Sequence, residues 1–268
     1  MEERRIALKF AYDGSLFYGF QRQPDKRTVE GTLVDALTRV GAIKSSRECG
    51  YRSSSRTDRG VSAMGNIISF RTGFVTGHIC AAINSEMDDV WAYAAVVVDE
   101  DFNPRFAKQR WYRYFLAKSG QDEDMMRALA RRFVGVHDFS MYSRRDDRNP
   151  MRKIDAITIS EDGMFHVLDF RAESFLWNMV RRVVWMINEG SSGRVPLEQI
   201  GPDASRKPKR VGLAPPEYLV LMDIDCGVEF PVDRKAAIGI SRAVERRVRE
   251  NAARVAFSEG LLKHISEV

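Results

Sequence analysis

The chain has few of the residues that build metal centres and disulfide frameworks. Its 268 residues include three cysteines (Cys49, Cys80, Cys226) and four histidines (His78, His137, His166, His264). The cysteines are odd in number, widely spaced and without a Cys-x-x-Cys pair, which argues against both a disulfide scaffold and a thiolate zinc site. The histidines lack metal-ligand spacing and no Asp/Glu run offers a hard-cation site, so no metal is expected. Long apolar stretches are absent too, the longest being Trp91 to Val98, far short of a membrane span. Met1-Glu2-Glu3-Arg4-Arg5 leads straight into a strand pattern, so a soluble, untargeted, cytoplasmic protein is the expectation. There is no low-complexity tract and no internal repeat. Neither charge sign dominates: 42 Lys and Arg face 37 Asp and Glu, a formal +5.

What is present is enough apolar sequence for one large or two ordinary domains, 44% of residues being hydrophobic. Arginine makes up 32 of the 42 cations. Its planar fork suits phosphates and bases, although genome composition or growth temperature produces the same bias.

Ser54-Ser55-Arg56-Thr57-Asp58-Arg59-Gly60-Val61 is the most informative stretch. Asp58 stands between Arg56 and Arg59 in a positive field that favours the carboxylate and keeps it available as a nucleophile. Strand-compatible residues lie on both sides, Cys49 to Ser55 and Gly65 to Phe70, so the carboxylate sits on a loop aimed by a scaffold. The same residues also fit a solvated Arg/Asp turn with a weak surface ion pair.

Alternating apolar positions place a first strand over Arg4 to Asp13, and Thr28 caps a helix carrying Val29, Leu33, Ala36, Leu37 and Val40. A short helix follows near Gly77 to Asn84, then a buried strand over Trp91 to Val98. Pro104 marks a crossing between halves. Beyond it come a strand over Trp111 to Ala117, a helix near Asp124 to Val134, a hairpin over Ile154 to Ala172 turned at Glu161-Asp162-Gly163, a helix from Ser174 to Asn188, and a strand over Leu219 to Asp225. The fold class is α+β in two halves with flanking helices. The expected division is 1–104, 105–228 and a C-terminal helical extension, 229–268.

In the helix from Ser174, Arg181 interrupts an apolar stripe of Leu176, Val180, Val183, Val184 and Ile187. Trp177 and Trp185 stand four residues away on either side, so the guanidinium is expected along indole faces; a snorkelling surface arginine fits equally. Tyr112 and Tyr114 share one strand face, opposite Trp111, Arg113 and Phe115, as an aromatic core face also would.

Seven segments, in order, resemble the tRNA pseudouridine synthase A family: Tyr12-Asp13-Gly14, Tyr18-Gly19-Phe20-Gln21-Arg22-Gln23, the Asp58 turn, Arg110-Trp111-Tyr112-Arg113-Tyr114, His137-Asp138-Phe139-Ser140, Phe175 to Arg182, and Leu213 to Leu219. The resemblance spans residues 4 to 226. It implies similar halves with mostly antiparallel sheets meeting side by side and leaving a basic cleft. It further implies isomerisation of uridine at positions 38 to 40 of the tRNA anticodon stem-loop, without cofactor, by a homodimer. Asp58 matches the catalytic aspartate, Arg181 the arginine that pairs with it, Tyr112 the tyrosine that stacks on the target base, and Arg56 the arginine that holds the extruded nucleotide. Ser55, Ser62, Phe20 and Leu176-Trp177-Asn178 depart from the common pattern. None replaces Asp58, Tyr112 or Arg181, so they bear on target-site choice.

Arg144 to Arg148 and Arg206 to Arg210 offer phosphate contacts or solvated loops. The last forty residues lie outside the resemblance and form an amphipathic helix over Arg234 to Phe257, expected to pack on its own domain, with dimer contact or an RNA-facing arm as alternatives. Two other classes compete: a non-catalytic RNA-binding protein, which has no need of Asp58, and a metal-dependent phosphoryl-transfer enzyme, which wants more carboxylates nearby.

Overall fold

In the computed structural model, residues 2–144, 149–206 and 210–266 are described. Among these residues, nine strands form one sheet: β1 (Arg4–Tyr12), β2 (Arg52–Ser53), β3 (Ser62–Thr72), β4 (Val90–Val97), β5 (Gln109–Ala117), β6 (Gly135–Asp138), β7 (Met151–Asp162), β8 (Phe165–Ala172) and β9 (Leu219–Asp225). Their order is β4-β1-β3-β9-β5-β8-β7-β6, with β2 beside β3. Every pairing is antiparallel except β3 with β9, where Ser62 and Ala63 run alongside Val220 and Leu221. That parallel seam joins two strands far apart in the chain, directly beside the Asp58 loop.

Among the described residues, five α-helices accompany the sheet: α1 (Val29–Arg39), α2 (Thr76–Asn84), α3 (Glu123–Arg131), α4 (Met179–Ser191) and α5 (Arg234–Ser266). Thr28 caps α1 as expected, its hydroxyl accepting from Gly31 N–H, and Asp122 caps α3 through Met125 N–H. Ile6, Leu8, Phe10 and Tyr12 of β1, Tyr112 and Tyr114 of β5, and Leu168 and Phe170 of β8 are buried in the core. Among the outward positions, Arg113 makes a bidentate pair with Asp169, at 2.9 Å on each oxygen.

Three local expectations need correction. The Trp91 to Val98 segment is an edge strand with alternating burial, covered on one face rather than two. The helix expected from Ser174 begins at Met179, because Asn178 adopts a left-handed conformation (φ 65°) that breaks the chain out of helix. The C-terminal helix does not stop at Phe257, and it packs on the body only through its first half, as described below. The four-residue β6 carries too little apolar pattern to be read from sequence.

Candidate active site

The Asp58 loop is held from beneath by the segment that follows β1. Tyr12 Oη and Thr57 Oγ1 share a hydrogen bond of 2.8 Å, Phe20 N–H donates to the Thr57 carbonyl at 3.1 Å, and Gly14 N–H donates to Ser62 Oγ at 3.0 Å. Gly14 has no room for a side chain, since a Cβ there would lie 2.0 Å from the Val61 carbonyl oxygen. Gly60 closes the turn at φ 88°, against Pro216. The Tyr12-Asp13-Gly14 and Tyr18-Gly19-Phe20 motifs thus form the bed on which the aspartate loop rests.

Asp58 itself meets the start of α4. Arg181 Nη1 donates to Oδ2 at 3.2 Å and Trp177 Nε1 donates to Oδ1 at 2.9 Å, so each carboxylate oxygen has its own donor. The left-handed turn at Asn178 lies between these two residues and lets both converge on one group. Arg181 is buried, and its Nε donates to the Ala214 carbonyl at 2.7 Å while Ala214 N–H donates back to the Arg181 carbonyl at 3.2 Å. Its Nε and Nη1 are therefore engaged within the protein itself.

Tyr112 lies on β5, edge-on to Phe175 with ring centroids 5.3 Å apart. Burial pushes its phenol up to about 12, helped by the Asp58 charge and opposed by Arg110 and by a hydrogen bond with Ser55. At neutral pH it is a neutral aromatic wall with a protonated hydroxyl. Arg110, also buried, donates from Nε to Ser55 Oγ at 2.9 Å and from Nη2 to the Arg105 carbonyl at 2.9 Å. It ties the strand leading to Asp58 to the start of β5.

The structure brings some of the expected residues together and leaves others apart. Asp58, Arg181 and Tyr112 come together; Arg56 is exposed on the same loop. The flanking arginines are not the partners of Asp58, since Arg59 lies over the Tyr18 ring, 4.3 Å from its centroid. Nor does Arg181 lie on indole faces: the cation over Trp177 is Arg144, at 4.0 Å. The departures at Ser55, Ser62 and Trp177 leave the key residues in place yet touch them or their supports, Trp177 bonding Asp58 directly. Helical spacing conceals this contact, because it puts Trp177 on a turn that does not form. Arg145 to Arg148 and Lys207 to Lys209 lie outside the described residues.

One further grouping joins residues that are far apart in sequence. Glu123, Glu161 and His166 bring their ligand atoms within 4.8 Å of one another, although they are scattered in the chain. Lys118 already pairs with Glu161 at 2.8 Å and Arg127 with Glu123, so a cation there would displace existing partners.

The tRNA pseudouridine synthase family matches residues 129–225. A tRNA pseudouridine synthase A from Pyrococcus abyssi is 42% identical over 92% of this chain and 94% of its own length, and one from Thermococcus sibiricus is 40% identical over 96% and 98%. The chain belongs to the tRNA pseudouridine synthase A family. It is a pseudouridine synthase, an isomerase. The alignment to the Thermococcus protein covers 96% of the chain, so it runs into the last forty residues, which are not outside the resemblance after all. Among solved structures, a Cbf5-Nop10-Gar1 complex is matched with a TM-score of 0.37 and 11% identity over 68% of this chain and 44% of that one, a likeness too distant to argue from. No helix among the described residues is long and apolar enough to cross a membrane.

Proposed function

We propose that this pseudouridine synthase acts on tRNA, at uridines 38, 39 and/or 40 of the anticodon stem-loop, with Asp58 as nucleophile. The observation that carries the mechanism is the two-donor clamp on Asp58, with Arg181 on one oxygen and Trp177 on the other. A carboxylate held this way is oriented and still has lone pairs free for attack. The reaction breaks the bond from N1 to C1′ of uridine, turns the base, joins C5 to C1′, and moves a proton from C5 to solvent while N1 gains one. No electrons or outside groups are exchanged, so the chemistry calls for no cofactor.

A uridine in a stem must leave the stack first, at a cost of a few kcal/mol. The Tyr112 ring supplies an aromatic face for the extruded base, and its hydroxyl, protonated at neutral pH, serves as a hydrogen-bond donor while the C5 proton leaves to solvent. The exposed Arg56 guanidinium holds the extruded nucleotide by its phosphate. Trp177 and the Arg144 stacked on it form the outer rim, which excludes water from Asp58 once RNA is seated. The expected setting is the cytoplasm and the expected assembly a homodimer, with residues 1–104 and 105–228 as the two halves of the cleft and 229–268 as an extension.

The test is tritium release from tRNA labelled at uridine C5, in EDTA, comparing the wild type with Asp58→Asn. Asparagine keeps the shape of the group and removes its charge, and activity should fall by roughly 10³-fold or more with RNA binding retained. Comparable release from both proteins would remove Asp58 from the chemistry. No release by the folded, RNA-binding wild type would leave a binding protein on this fold.

A further inference from the structure

Helix α5 is 33 residues long, and only its first half touches the body. Ala236 is buried, Asp233 N–H donates to the Tyr93 carbonyl at 2.7 Å, and Arg247 forms ion pairs with Asp13, at 3.3 Å, and with Asp89 while lying over Trp91. Asp13 precedes Gly14, which contacts the loop bearing Asp58, so Arg247 fixes the helix at the same end of the sheet as the candidate active site. From Val248 to Ser266 every residue is exposed, an overhang of about 28 Å at the usual helical rise.

The charge of the molecule is concentrated on this helix. Residues 234–266 contain eight Lys and Arg against three Glu, a net +5, while the remaining 235 residues hold 34 basic and 34 acidic side chains and are neutral. Arg242, Arg246 and Arg249, spaced four and three apart, form one exposed basic stripe around the Arg247 anchor. Arg246 has a loose contact at 4.0 Å with Glu250. An apolar seam of Val244, Val248, Val255 and Leu262 lies on the opposite side of the helix. The seam faces away from the stripe, so whatever covers it leaves Arg242, Arg246 and Arg249 open, and a polyanion is the partner that neutralises them.

We propose that α5 is an RNA-binding arm whose stripe Arg242, Arg246 and Arg249 grips tRNA phosphates outside the cleft while the target nucleotide enters it. This rests on the tRNA reading above. Such contacts position the substrate and carry no base information, so they set affinity and leave the choice of uridine to the cleft.

The test uses the full-length protein, wild type and the triple variant R242Q/R246Q/R249Q, titrated with unmodified tRNA transcript from 50 to 300 mM salt, with tritium release measured in parallel. All three residues are exposed and none touches the Asp58 site, so folding and kcat at saturating tRNA should be unchanged. Removing three phosphate contacts should lower the log–log salt slope by roughly two to three and raise Kd and KM roughly a hundredfold at 0.1 M salt. Equal Kd and equal slope for the two proteins would overturn the arm. So would a variant that sediments as monomer where wild type is dimeric and whose RNA affinity follows only that dissociation, which would assign α5 to a second copy. If wild type binds tRNA with a slope that the variant loses, yet neither protein modifies any uridine, the arm stands and the catalytic reading fails.

Discussion

Replacing Trp177 by phenylalanine isolates the role of the indole N–H. The substitution keeps an aromatic ring beneath Arg144 and removes the 2.9 Å hydrogen bond to Asp58 Oδ1. A hydrogen bond to a charged acceptor contributes about 1.5–3 kcal/mol when well shielded. Here the indole residue is 41% exposed and the carboxylate side chain 26%, so solvent screening brings the figure to about 1–2 kcal/mol. At 1.4 kcal/mol per tenfold, kcat should fall roughly 5- to 30-fold with KM little altered. The fall comes from lost orientation: with one donor gone, Asp58 turns about its last bond around the remaining contact to Arg181. The sign is informative, because the same hydrogen bond also withdraws charge from a nucleophile. Single-turnover tritium release measures the chemical step directly. A variant as fast as wild type, or faster, with unchanged stability would refute the orienting role and make Trp177 a wall only.

Gly14→Ala places a methyl 2.0 Å from the Val61 carbonyl oxygen, against backbone that has no slack. A stability loss of about 1–3 kcal/mol in denaturant titration is expected, together with slower chemistry, since Val61 N–H closes the Asp58 turn at 3.2 Å. Wild-type stability in that variant would mean the loop is not rigidly bedded. The buried tyrosines predict alkaline sensitivity. Burial pushes Tyr112 and Tyr142 up to about 12 and raises Tyr12, Tyr93 and Tyr114 as well, so these phenols stay neutral in the fold at a pH where the unfolded chain ionises. Their contribution is intact below about pH 10 and is lost as pH rises from there through 12, which the thermal midpoint should track. A phenolate absorbance step near pH 10 accounting for all eight tyrosines in folded protein would refute this.

Much of the molecule is legible from one-dimensional pattern. Period-two alternation in Ile6, Leu8, Phe10 and Tyr12, the Thr28 cap and the Gly163 turn are local physics, and each element stands within a few residues of where that physics places it. The Asp58 turn, with Gly60 at its end, declares a constrained carboxylate on a loop. Chain order alone also places Tyr112 and Tyr114 on one buried face.

The tertiary structure decided which groups meet, and here sequence neighbours misled. Arg56 and Arg59 adjoin Asp58 in the chain, yet a strand-to-strand turn points successive side chains away from one another, and the charge that reaches Asp58 arrives from Arg181, 123 residues on. Trp177 becomes its second donor only because Asn178 takes a left-handed conformation, an energy cost that packing around α4 repays and that no periodicity reveals. The same holds for α5. The sequence carries a helical pattern from Arg234 to Phe257 and the surplus of basic residues there, while the structure extends the helix to Ser266. That the helix is gripped at Arg247 and runs free beyond it depends on where Asp13, Asp89 and Trp91 lie in space, and non-local contacts of that kind are set by the fold as a whole.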